Sequence, residues 1–423
     1  MKLKIYNPAL LLIVLLAFGQ SGFAQDTADS HDFDGKALNK SMKLLNLNLN
    51  LNMKNLNLAM NDLNKDLNKS LGELNKDLNI AIPEITANLG DLNTDLRINL
   101  NISDADLEKK IENGEVQEKV KNYSKSYPAD ANDKLSISNK FGKVTVNTWN
   151  KNEFKIDIQI RGVATDEETA QKLIDNTSIS DSKNGDIVSF RTNFNTGNGN
   201  SVWNNLFNNR NDHHKIEVNY TIYMPAKNAL DIDNRYGAIE LPDIDGKVTI
   251  NSAYGSFAAK TLSHADNEIK VRYGSANIDA LNSCDLEVSY GSLDLDAVDK
   301  INGRFGYSSV KIGRIKTSAN IDAHYAGGVQ IDNLDKNFAS FAVNASYSSV
   351  KVGVSNASNA DFDITVHYGG FDYGDVPVSI TEKSPSDDSK GFHPTHNYKG
   401  HIGKGNADRV ISIHSSYGGV KFE

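Results

Sequence analysis

Three histidines in "GFHPTHNYKGH", His393, His396 and His401, are the densest run of metal-capable side chains in the sequence, and His213 and His214 form a second pair. A metal centre needs three or four converging ligands. Histidines scattered through Gly-, Pro- and Asn-rich stretches read instead as exposed loop residues, with no metal or other cofactor. "GHIGKG" (Gly400 to Gly405) carries the glycines of a phosphate loop. It precedes a strand pattern and lacks the Lys-Ser/Thr ending, so those glycines are expected in turns. Cys284, the single cysteine, has the parity of an inward strand residue and is expected in the core rather than reactive. Trp203 and Phe207 are apolar residues in the polar loop Asn195 to His214, which marks either a contact site or packing of that loop. No catalytic, cofactor-binding or metal-ligating residue is assigned.

The frame around these residues begins with a basic start (Lys2, Lys4), the apolar run "ALLLIVLLAFG", and small residues at Gly22 and Ala24. That pattern over 1–24 is a secretory signal peptide, and no later run is long enough for a transmembrane span. The expected product is exported, to periplasm or cell surface, and one cysteine leaves no internal disulfide. Losing two lysines with the leader takes the net charge from −9 to about −11, so nucleic acid is a poor partner.

Residues 25–128 are rich in Leu and Asn and repeat every eleven residues: "DLNKDLN" at Asp62 returns as "ELNKDLN" at Glu73. Leu56, Leu67 and Leu78 align, as do Met60, Leu71 and Ile82, giving a helical stripe with a slight right-handed supercoil. Three readings are open: a helix that self-associates through residues 56–82 as a homo-oligomer or coiled coil, a helix folded onto the β-region, or low-complexity chain. A further helix is expected over Ser103 to Val120, N-capped by Ser103 or Asp104, with Leu107, Ile111, Val116 and Val120 as its stripe.

From Asp133 the pattern is β. "KLSISNKFGKVTVNTW" (Lys134 to Trp149) and "ALDIDNRYGAIELPDI" (Ala229 to Ile244) match position for position, Phe141 falling on Tyr236 and Gly142 on Gly237. Between them lie a strand (Phe154 to Ile160), a short helix (Asp166 to Ile174) and a strand (Lys215 to Ala226), which makes 133–229 a first β-block and 230–423 a repeat region. After Tyr236, tyrosines fall at 254, 273, 290, 307, 325, 347, 368 and 417, the first spacings being 18, 19, 17, 17 and 18. Counting each tyrosine as zero, apolar residues recur at minus six, minus four, plus three, plus five and plus eight, and glycine at plus one. Fixed-period repeats of this size signal a stacked architecture.

Side chains alternate faces along a strand, so each odd step between inward residues is a corner. Three odd steps per repeat predict a mainly β fold: a right-handed β-solenoid of about 17–22-residue rungs. The tyrosines are expected as an internal ladder, with the glycine supplying freedom for the bend. A β-sandwich or a meander of hairpins is the rival. Outward positions at plus four read Glu240, Ala258, Asn277, Asp294, Lys311, Gln330, Lys351, Asp372 and Lys421. Carbohydrate-active β-helices cluster carboxylates on such a face; here signs mix, and Asp294 with Lys311 is expected as a weak surface pair.

Signal peptide, opening block, short helix and "YGxΦxΦ" units together resemble an exported bacterial adhesin family with β-strand repeats, over about Asp133 to Glu423. The resemblance implies a β-solenoid of the cell envelope. The expected function is non-enzymatic binding of an envelope glycan or protein, or a structural role. The alternatives are a carbohydrate-active β-helix enzyme and an envelope regulatory or stress partner acting through the N-terminal helix.

Overall fold

The computed structural model describes residues 104–195, 214–355, 358–386, 389, 391–406 and 408–423. All belong to the compact unit Gly90–Glu423. The leader, residues 56–82, and Trp203, Phe207 and His213 lie outside the described residues. Among the described residues the chain is mainly β, with two helices and 24 strands joined in one sheet that does not close on itself. No helix among them is long and apolar enough to cross a membrane.

The repeats lie side by side in parallel and in register. Val248–Ala253 runs between Ala229–Arg235 and Asn267–Arg272, placing Ile250 beside Ile232 and Ile269. Ser275–Ser289 pairs with Ser292–Gly306 at a constant offset, from Ser275↔Ser292 to Ser289↔Gly306. The residues counted as inward are buried: in one repeat Cys284, Leu286, Leu293, Leu295 and Val298 are at most 3% exposed. Position minus two also points inward, as Val271, Val288, Phe305 and Val366. At roughly 25 cal/mol per Å² of apolar area, this stripe is the main stabilising element of every repeat.

The repeats do not stack in chain order. Val410–Ser416 inserts between Ser340–Ser346 and Ala360–His367, and Val420–Phe422 inserts between Val350–Val354 and Phe371–Asp372. The intervening excursion forms a hairpin, Val378–Ser384 with Thr395–Ile402. Thr395–Ile402 runs antiparallel along Ala360–His367 and covers what would otherwise be an open edge, the standard protection against edge-to-edge association.

The other end is closed by the first block. Lys134–Lys140 pairs with Ala229–Arg235 through Leu135↔Leu230, Ile137↔Ile232 and Asn139↔Asn234, the matches seen in sequence. Gln117–Pro128 pairs antiparallel with Glu153–Ala164, which pairs antiparallel with Lys215–Met224.

Two helices pack on this end. Helix α1 is Asp104–Glu112, not the longer helix expected to Val120. Gly114, at φ +70°, takes a left-handed turn in which the amides of Asn113, Gly114 and Glu115 close on the last carbonyls, a glycine C-cap. The strand Gln117–Pro128 then begins, carrying Val120 exposed. Helix α2, Glu167–Asp175, is capped by Asp166, which accepts from the Thr169 amide at 2.8 Å. Its buried Ala170, Leu173 and Ile174 rest on Gly162, where a Cβ would come within 2.8 Å of the Ala170 carbonyl.

Candidate functional site

The repeated corner is built by an unusual backbone choice. Phe141 and all nine repeat tyrosines have φ between +51° and +61°, a left-handed conformation that costs a non-glycine residue about 1–2 kcal/mol. Left-handed geometry breaks the alternation of faces, so the tyrosine side chain leaves the core that parity alone assigns it. Tyr273, Tyr290, Tyr307 and Tyr347 are 38–42% exposed. The ladder is therefore external, which corrects the expected interior column.

The ladder itself is real and continuous. Successive rings from Tyr236 to Tyr417 stack with centroids 4.6–5.1 Å apart and planes within 13°. Phe141 stacks below Tyr236 at 5.3 Å, and Tyr368 lies beyond Tyr417 at 5.0 Å. Each stacked pair adds about 0.5–1.5 kcal/mol, enough to offset the backbone cost at each corner. Apart from Tyr368, whose amide bonds to Pro394 O, each ladder amide bonds to the next repeat: Tyr273 N to Ser289 O at 3.0 Å, Tyr347 N to Ser416 O and Tyr417 N to His367 O at 2.8 Å. Ring order and hydrogen bonds agree that Tyr417 sits between Tyr347 and Tyr368.

The glycine after the tyrosine serves close approach rather than bending. A Cβ on Gly255, Gly274 or Gly291 would fall 1.8–2.1 Å from the carbonyl oxygen of the corner before it. The bend comes from the tyrosine.

Because each ring face is covered by its neighbours, the ladder offers solvent its edges and hydroxyls. Among the described residues, the hydroxyls of Tyr273, Tyr307 and Tyr347 have no hydrogen-bond partner, nor do those of Ser292, Ser309 and Ser349, which stand two residues after Tyr290, Tyr307 and Tyr347. At the far end, Ser349, Gly370 and Gly419 border a shallow hollow of about 340 Å³ lined by Val350, Phe371 and Val420, with Lys351, Asp372 and Lys421 along its other edge.

The residues singled out in sequence do not converge. His396 and His401 lie on Thr395–Ile402 and His393 precedes it; among the described residues no group of three or more His, Cys, Asp or Glu could hold a metal. Gly403 and Gly405, at φ +61° and +75°, are turn glycines. Cys284 is buried, and burial pushes its thiol pKa up. Asp294 and Lys311 are register partners, but Lys311 reaches Asp332 at 3.8 Å instead.

Two polar clusters went unnoticed in sequence because their members are far apart along the chain. Asp181 accepts from the hydroxyls of both Tyr123 and Tyr127, joining Gln117–Pro128 to Thr177–Asn184 across the closed end. The Tyr123 and Tyr127 bonds hold the Asp181 carboxyl below its ordinary range, and the shared carboxylate pushes Tyr127 up to about 12. Arg161 bridges Glu108 at 2.7 Å, Glu217 at 3.2 Å and Glu118, tying α1 to three strands. Both clusters brace structure.

No protein-family model matches this chain, and no curated protein matches it. The chain is similar to three solved structures. One is a candidate cell adhesion protein from Clostridium sporogenes (11% identity, 72% of this chain and 99% of that chain, TM-score 0.15). The others are candidate adhesins from Bacteroides fragilis (11%, 72% and 97%, TM-score 0.30) and Parabacteroides distasonis (10%, 72% and 97%, TM-score 0.27).

Proposed function

We propose that this chain is an exported, adhesin-like binding protein of the cell envelope, without enzymatic activity. In this reading it is a right-handed β-solenoid whose repeated outward faces engage an extended partner. The observation that carries it is the external tyrosine ladder, which presents one chemical group again and again at about 4.6–5.1 Å. Regular repetition suits a long ligand bound by many weak contacts better than a small substrate held at one point. Parallel pairing of successive repeats, at a constant offset between Ser275–Ser289 and Ser292–Gly306, supports the solenoid reading, and right-handed coiling is the default for parallel crossovers. Residues 56–82 would add self-association.

The test is a binding screen of the whole purified protein against envelope glycans and matrix proteins, paired with protease accessibility on intact cells. Saturable binding without turnover supports the reading. Polysaccharide cleavage abolished by replacing neighbouring carboxylates such as Asp279 and Asp296 would overturn it.

A further inference from the structure

The corners of this stack divide into two chemical classes. Of the first four, "KFGK", "RYGA" and "RYGS" carry Lys140, Lys143, Arg235 and Arg272 beside the ladder, and "AYGS" between them carries no charge. The next six in space run from "SYGS" at Ser289 to "HYGG" at His367 and hold only Tyr, Ser, Gly, Ala and His. In a chain with 23% charged residues, six successive corners without Lys, Arg, Asp or Glu form a long neutral stripe.

Corner geometry does not demand this neutrality. Lys143 occupies the position two after the ring, where Ser292, Ser309 and Ser349 stand later, and it is 46% exposed while reaching Glu240 at 2.6 Å. Lys140 and Arg235 likewise occupy the position just before the ring. Charge returns at once on the neighbouring outward rows, as Asp294, Lys311, Lys351 and Lys421. The neutral stripe is thus a separate surface, bearing hydroxyls without partners at Tyr307, Tyr347, Ser309 and Ser349 and ending in the hollow beside Gly370 and Gly419.

We infer that this stripe is the binding face for a neutral, extended glycan lying along the ladder. The inference rests on the adhesin-like reading above and names its ligand class. An extended β-linked pyranose chain advances per sugar by close to the spacing of these rings, so sugar hydroxyls can meet tyrosine and serine hydroxyls repeat after repeat. An acidic polymer finds no counter-charge along the six corners until Lys351 and Lys421 at the edge of the hollow, where Asp372 also stands, and the net charge of −9 repels it from the rest of the surface. Because ring faces are already stacked, contact is by hydrogen bonds to ring edges and hydroxyls. Each sugar then contributes little, and affinity grows with chain length.

The experiment titrates the full chain with cello-oligosaccharides of increasing length and with soluble xylan, using polygalacturonate as the acidic comparison. Variants are Ser292→Lys/Ser309→Lys, Ser349→Lys alone, and Ala342→Lys on a different outward row as control. The expected result is length-dependent binding of the neutral glycans, weakened about tenfold or more by either stripe variant and unchanged by the control, because a lysine facing a neutral chain must be desolvated without a partner. Unchanged binding in both stripe variants overturns the stripe as the site and leaves adhesin-like binding standing elsewhere. Binding of polygalacturonate or matrix protein alone overturns the neutral-glycan assignment only, whereas no binding to any of these removes both readings. A wild-type dimer that dissociates in the stripe variants overturns the inference in favour of a second copy as occupant.

Discussion

Replacing Gly291 with alanine tests how the corners stack. The added Cβ would lie 1.8 Å from the Gly274 carbonyl oxygen and 2.9 Å from its carbon, both backbone atoms that cannot rotate away. Relieving the clash means opening the two repeats by roughly 1 Å against their ordinary spacing of about 4.8 Å. That opening stretches the bond from Ser292 N to Gly274 O (3.2 Å) and loosens the Tyr273–Tyr290 stack at 4.9 Å. Overpacking costs about 1–3 kcal/mol and the weakened hydrogen bond up to about 1 kcal/mol, so the total is about 1–4 kcal/mol.

Three adjacent corners do carry a side chain at this position, Ser308, Ala326 and Ser348. There the two serine hydroxyls take the amides of Gly291 and Ala326 at 3.2 and 2.8 Å. An isolated alanine within the glycine run has no such compensation. Thermal melts should show Gly291→Ala lowered by about 2–8 °C, with hydrogen exchange accelerated first in Ser275–Gly306, because repeat stacks lose structure locally. Gly370→Ala, whose Cβ would meet nothing within 4 Å, should stay within about 0.5 kcal/mol of the parent. Equal melting of the two variants would refute the close-approach explanation.

Other expectations follow from the same geometry. Tyr307→Ala loses stacking on Tyr290 and Tyr325, at 4.9 and 5.1 Å, and should destabilise by about 1–3 kcal/mol; Tyr307→Phe, as at Phe141, should match the parent in urea titrations. Arg161→Ala leaves three carboxylates facing one another and should cost about 2–3 kcal/mol, seen as protease cleavage near α1 before global unfolding. Asp181 has its pKa lowered on folding by Tyr123 and Tyr127. Its contribution is therefore present above the unfolded carboxylate value and lost as pH falls through the folded one, and Asp181→Asn should flatten that acid limb of the stability curve. Tyr127 acts at the other extreme, its contribution full below pH 10 and lost as pH rises through about 12. Cys284, buried with a raised thiol pKa, should react with thiol reagents only on unfolding.

Much of this fold was legible because apolar spacing reports directly on burial. Val248 with Ile250, Leu293 with Leu295, and Val298 all sit where their parity puts them. Orientation of the tyrosine was not legible, because parity holds only for extended backbone and a left-handed residue resets it. The signal was present in Val271, Val288 and Phe305, which already fill the inward place two residues before each ring. Insertion of Val410–Phe422 was equally hidden: the lengthened last repeat marks an excursion from Gly374 to about Arg409 in the sequence, but repeats with one shared pattern offer equivalent registers, so spacing does not say where in the stack the chain returns. The Asp181 and Arg161 clusters draw on residues more than forty positions apart and leave no local pattern. Lysines at Lys140 and Lys143 stood in the sequence as clues to the neutral stripe, but their meaning depends on knowing which side of the corner faces water.

Nitration of native protein with tetranitromethane, mapped by mass spectrometry, probes the placement of the ladder most directly. Tyr273, Tyr307 and Tyr347 should be modified early while Tyr220, 1% exposed, stays protected until the chain unfolds. Ladder tyrosines as slow to react as Tyr220 would contradict an external column and return those rings to the interior.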